Sequence, residues 1–187
     1  MATLFTGPDL GTYLEQRVER AIDWVAGLRD QNITEDAPGV AQEAINRWLP
    51  TQIVLDDGSV KSTAPEEKRD RHGAYWEIRL TVPYEGGADV MFARKPSTWS
   101  TGGLPEGFAT NSTVLLTVQS PRMTAEELNE RAHATLDILR KYVEWINADL
   151  ARFRPVAEQR VRTAVDARSK SIKARRDAGG KLDFPIG

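Results

Sequence analysis

The chain of 187 residues has no cysteine. Disulfides, thiolate metal sites and thiol nucleophiles are therefore excluded. It has only two histidines, His72 and His133. His72 falls in a charged stretch and His133 inside a helix-patterned one, so neither has a partner for a zinc site, which needs three or four good ligands. No Gly-x-Ser-x-Gly elbow accompanies them, which leaves a Ser-His-Asp arrangement unsupported. No apolar run nears the roughly 20 residues that span a bilayer. The opening segment MATLFTGPDLG carries no charged stretch followed by an apolar one, so a cytoplasmic location is expected. The expectation is a chain without a metal, a cofactor or a catalytic set.

What is present is an ordinary globular composition, 40% hydrophobic and 28% charged. The net charge of −2 conceals an asymmetry. Residues 152–181 carry ten Lys/Arg against three Asp/Glu, a surplus of +7, which leaves −9 for the rest. The end of the chain is thus expected to meet something anionic, either the chain's own acidic body, another copy, or a separate partner.

Apolar periodicity gives the fold class. Leu10, Leu14, Val18, Ala21, Ile22, Val25 and Leu28 recur at helical steps over residues 9–30. Ala41, Ala44, Ile45, Trp48 and Leu49 do so over 38–49, between Pro38 and Pro50. These two segments read as a helical hairpin joined by a polar connection over 31–37. The period then shortens. Residues 52–55 and 60–63 flank Asp57-Gly58 like a small hairpin, and residues 64–72 read as a charged loop. Over 74–82, Trp76, Ile78, Leu80 and Val82 alternate with Glu77, Arg79 and Thr81, which predicts a strand with Glu77 and Arg79 on its wet face. Residues 90–94 and 113–119 read as further strands. Thr124-Ala125-Glu126-Glu127 is a capping-box pattern opening a helix over 124–153, and Pro155 is expected to kink the helix or to begin a new one, with a further helix over 156–177. The order predicts an α+β fold: an N-terminal helical hairpin, an antiparallel sheet of four to five strands and two long C-terminal helices. Residues 1–153 are expected to form the α+β domain, with 154–187 a basic helix and apolar tail packed on that domain or on a partner.

Four segments carry candidate function. Residues 94–107 form a long loop rich in glycine and hydroxyls that begins with Arg94 and Lys95 and contains Trp99. Such turns can cradle anions, although neither a dinucleotide fingerprint nor a P-loop is met. Asp56 or Asp57 ahead of Glu77-Ile78-Arg79 approaches the Asp…Glu-x-Lys pattern of magnesium nucleases. Arginine stands in place of the lysine, and cannot deprotonate usefully. On a helix over 156–176, Arg162, Lys170, Lys173 and Arg176 fall on one side, opposite Ala157, Val161, Val165 and Ile172. They are the candidate anion contacts there, together with Arg94 and Lys95 in the loop. Arg168 and Arg175 instead interrupt the apolar side, as expected of a helix that docks on an acidic surface. No aromatic residue is interleaved for stacking on bases. Ile138, Tyr142 and Trp145 widen the apolar face of the helix before Pro155, and Leu182, Phe184 and Ile186 alternate in the tail. With Arg168 and Arg175 they are the candidate partner-binding residues.

The segment Arg94–Gln119, with its Lys-Pro-Ser-Thr-Trp-Ser core, resembles a group of bacterial proteins of unassigned activity. There an Arg-x-Pro-Ser-Thr-aromatic-Ser loop lies between strands and is followed by a long helix with a tryptophan, here near Glu144-Trp145, and by a basic terminal helix. The resemblance covers the C-terminal half. It implies a bacterial source and a role beside a larger effector, as in defence or toxin-type gene clusters. The function expected from all of this is a non-enzymatic protein-interaction or oligomerisation module. Nucleic-acid or other anion binding by the basic helix stands as the alternative, and a nucleotide-processing enzyme built on the 94–107 loop ranks third.

Overall fold

A computed structural model describes residues 2–100, 102–121 and 124–179. Its fold is α+β. Helices α1 (Leu10–Gly27), α2 (Asp30–Glu35) and α3 (Ala37–Trp48) come first. Strands β1 (Val54–Leu55), β2 (Lys61–Ser62), β3 (Glu66–Asp70), β4 (Gly73–Glu85), β5 (Glu106–Ala109) and β6 (Thr113–Ser120) follow, and α4 (Ala125–Gly179) closes the order. The chain divides into two compact units, residues 1–12 with 51–151 and residues 13–50 with 152–187. That division groups the N-terminal helices with the basic end of α4.

The first unit is a six-stranded antiparallel sheet in which β4 is central, with β6 and then β5 on one side and β1, β2 and β3 on the other. Ile78, Leu80 and Val82 on β4 lie opposite Val118, Leu116 and Val114 on β6. All six are buried, as are Leu128, Leu136, Leu139, Val143, Ile146 and Leu150 along α4. These two apolar surfaces make the core, and Phe5 stacks on Tyr142 within it, ring centroids 4.4 Å apart. The α4 start is capped as its sequence predicts, with the Glu127 N–H donating to Thr124 Oγ1 at 3.2 Å.

The second unit is helical. Val18, Ala21 and Val25 of α1, Val40, Ala41, Ala44 and Ile45 of α3, and Ala157, Val161, Val165 and Ile172 of α4 form one buried cluster. Asp36 caps α3 by accepting from the Gly39 N–H at 2.9 Å. The 31–37 connection is not plain loop: the short helix α2 occupies most of it, held by fully buried Ile33. A six-residue helix does not stand alone in water, and burying one isoleucine supplies about 1.5–3 kcal/mol towards holding it.

Several elements differ from their sequence reading. The helix runs through Pro155 as one 55-residue element instead of breaking there. Proline removes one backbone bond and crowds the preceding turn, but buried contacts on both sides, Leu150 before it and Ala157 after it, outweigh that loss. Residues 64–72 are not a loop. β3 pairs with β4 from Glu66↔Glu77 to Asp70↔Gly73, and Gly73 closes the turn at φ 126°, a backbone region that other residues avoid. Residues 52–63 do not pair with each other, because β1 and β2 both pair with β4. Residues 90–94 are mostly a 3-10 turn (Asp89–Ala93) that buries consecutive Met91 and Phe92, which an alternating strand cannot do. β5 was hidden inside the long loop.

Candidate functional site

Alternation along β4, β5 and β6 gives the sheet a second face, opposite the core. Register sets its rows: Lys61–Thr81–Leu115–Phe108, then Arg79–Thr117–Glu106, then Glu66–Glu77–Gln119. Phe108 is 54% exposed and Val54, aligned with Glu85 on the same face, is 63% exposed. A depression of about 350 Å³ is lined by Arg79, Gly107, Phe108, Leu115 and Thr117 with Ala2. Gly107 is needed in that floor, since a Cβ there would meet the Leu115 carbonyl oxygen at 2.0 Å.

Glu77 is not on a wet surface: it is buried at 4% exposure, which corrects the sequence expectation. Gln119 Nε2 donates to it at 3.2 Å and the Arg79 guanidinium lies 3.5 Å away. Neighbouring strands shade the face enough to cover a short carboxylate side chain while the longer Arg79 reaches water. Register also sets Glu66 directly across from Glu77, an unfavourable like-charge pair. Lys68 relieves it by pairing with Glu66 at 3.0 Å. That hydrogen bond and charge hold the Glu66 carboxyl below its ordinary value and the Lys68 amine above its own.

The 94–107 loop spends its motif on itself and on α4. The Ser97 N–H and hydroxyl both donate to the Asp149 carboxylate. The Ser100 N–H donates to the Tyr142 hydroxyl at 2.9 Å, and that hydroxyl donates in turn to the Ser100 carbonyl. Lys95 sits over the Trp99 ring at 4.5 Å, and its backbone pairs with Pro8 and Leu10. Arg94 is half-buried at the end of the 3-10 turn. The Lys-Pro-Ser-Thr-Trp-Ser core thus pins a loop. Tyr142 is buried at 2% exposure, Trp145 packs edge-on against it, and half-buried Ile138 lines a cleft of about 400 Å³ with Leu104, Val118 and Arg131. Asp57 pairs with Arg140 at 3.0 Å, and that pairing raises the Arg140 pKa. Among the described residues no group of three His, Asp or Glu side chains could hold a metal ion.

The basic half of α4 meets the chain's own acidic helices. Arg160 bonds Glu15 and Glu19, which raise its pKa. Arg168 bonds the Leu28 carbonyl at 2.8 Å and Asp30 at 3.2 Å, and Arg175 reaches the other oxygen of Asp30 at 3.0 Å. Arg162 bonds Gln42 at 3.3 Å. Lys170, Lys173 and Arg176 are exposed and make no ion pair among the described residues. At 100° per residue, however, Asp166 and Asp177 fall on their side of the helix and dilute the positive face. Leu182, Phe184 and Ile186 lie outside the described residues.

Phe108 and the depression beside it were not legible in the sequence. The signal available was an exposed-type loop containing Gly-Phe-Ala ahead of an alternating strand, which is too short to stand out. No protein-family model matches the chain, and no curated protein or solved structure matches it significantly. No helix among the described residues is long and apolar enough to cross a membrane.

Proposed function

We propose that the chain is a non-enzymatic protein-interaction module whose working surface is the outer face of the sheet. Phe108 supports this reading. A phenylalanine more than half exposed, beside Leu115 and an apolar depression, keeps its ring in water unless something covers it. Buried aromatic anchors ringed by polar residues are the usual source of binding energy at protein interfaces. Arg79, Thr117 and Glu106 form such a polar row next to the ring. Acting as an accessory subunit beside a larger effector is one form of this role.

Anion binding by Lys170, Lys173 and Arg176 is the second reading, supported by their exposure without ion pairs among the described residues. Salt-dependent binding of DNA or RNA that disappears on changing these three residues to glutamine is its test.

The first reading is tested by placing a photo-crosslinking phenylalanine analogue at position 108 in cells of the source organism, with exposed Gln42 as the control position. Protein adducts at 108 and none at 42 are expected. A 108 variant that is folded and yields no protein adduct overturns the proposal.

A further inference from the structure

We infer that the outer face of the sheet pairs with the same face of a second copy of this chain, about a twofold axis running along β6. This inference rests on the reading of that face as the interaction surface and names its occupant.

The edges of the sheet do not invite another strand. β3 is Glu-Glu-Lys-Arg-Asp, five charged residues in succession, a composition that blunts edge-to-edge pairing. The β5 edge is already paired with residues near the N-terminus, through the Leu4 N–H to Pro105 and the Gly107 N–H to Ala2. The face remains, and its rows are self-complementary about β6. Arg79 and Glu106 are both aligned with Thr117, one strand to either side of it. They are two strand spacings apart, roughly 10 Å, and among the described residues no ion pair joins them, Arg79 turning instead towards Glu77. A twofold along β6 exchanges the two sides. It sets Arg79 against Glu106 of the second copy, and the reverse, while Thr117 and Leu115 each meet their own counterparts. Phe108 then lies over Thr81 of the second copy, in the row it shares with Leu115. Every contact occurs twice, as an isologous interface requires. Two sheets facing each other in near alignment is an ordinary packing mode.

Arg79 has donors to spare for this. Its side chain is 59% exposed and its contact with Glu77 is a long one of 3.5 Å. A polyanion fits the face poorly, because Glu66, Glu77 and Glu106 stand among its cations. Three paired strands, β4, β6 and β5, carry the contact, so an interface at the lower end of stable sizes is expected.

Sedimentation velocity on the purified chain tests the pairing by charge exchange. Arg79→Glu and Glu106→Arg, each alone, place like charges against each other and should weaken dimerisation about tenfold or more. The double variant restores opposite charges across the axis and should recover most of the wild-type association. Glu106→Arg leaves the surroundings of Glu77 intact, so its effect is separable from a folding defect, and thermal unfolding of each variant checks this. Wild-type chain that stays monomeric at high micromolar concentration overturns the inference. So does a dimer that ignores both single reversals, or a double variant that is not rescued. If photo-adducts at position 108 then carry a different protein, the interaction reading survives with another occupant. If there are none, both fall.

Discussion

Arg168 and Asp30, 138 residues apart in sequence, meet at 3.2 Å, and the same arginine reaches the Leu28 carbonyl at the end of α1. This contact explains why a cation interrupts the apolar side of α4. The interruption docks the helix on its own chain. Arg175 shares Asp30 but is 63% exposed, against 28% for Arg168. Arg168→Ala should therefore cost about 2 kcal/mol, since it removes a charge-assisted bond and strands a carbonyl. Arg175→Ala should cost under about 0.5 kcal/mol, as solvent screening discounts it. Urea denaturation of the two variants checks the order, and equal losses would contradict it.

Tyr142→Phe tests the pinning of the 94–107 loop. It deletes both bonds between that hydroxyl and the Ser100 backbone while keeping the ring stacked on Phe5. The expected loss is about 1–2 kcal/mol. Limited proteolysis should show faster cleavage in the loop, with the sheet and helices still resistant.

Pro155 sits inside α4, where it supplies no N–H to the turn before it. Pro155→Ala should raise stability by about 1–3 kcal/mol, since the helix is already continuous and only the missing bond and the ring clash are removed. A melting temperature that falls would show that the proline fits a local bend which alanine cannot.

Burial raises the Tyr84 pKa above its ordinary 10.0, and the Asp89 charge adds to this. The unfolded chain then gives up this proton at a lower pH than the folded one. Stability should be unaffected by this group below about pH 10 and should fall as the pH rises beyond it. Tyr84→Phe should flatten that part of the alkaline unfolding curve. It should also lose about 1 kcal/mol near neutrality, with the bond to the Thr110 carbonyl.

The parts of the fold that one chain segment dictates were legible from the sequence. The apolar stripes of α1, α3 and α4, the Thr124 cap and the alternation of β4 each follow from local spacing. The parts decided by another segment were not. β3 has no apolar face, and only the neighbouring β4 makes its charged run a strand. Continuity through Pro155 depends on packing before and after the ring. Glu77 looked solvated because alternation predicts which face a residue takes, and does not predict how deeply its neighbours shade it. In the basic run of α4, the position of Arg168 and Arg175 on the apolar side was legible from helical spacing, but their shared partner Asp30, and Glu15 and Glu19 beside Arg160, come from distant segments that spacing does not reveal. Phe108 stood in a glycine-rich loop, and its exposure is set by register with Leu115.

Hydroxyl-radical footprinting of Phe108 inside cells of the source organism tests the interaction surface most directly. Trp99 is 43% exposed in the same unit and serves as the internal reference. The account predicts that Phe108 is oxidised several-fold less in the cell than in dilute purified protein, while Trp99 is oxidised equally in both. Equal oxidation of Phe108 in the two settings would mean that nothing covers the sheet face, and would contradict the account.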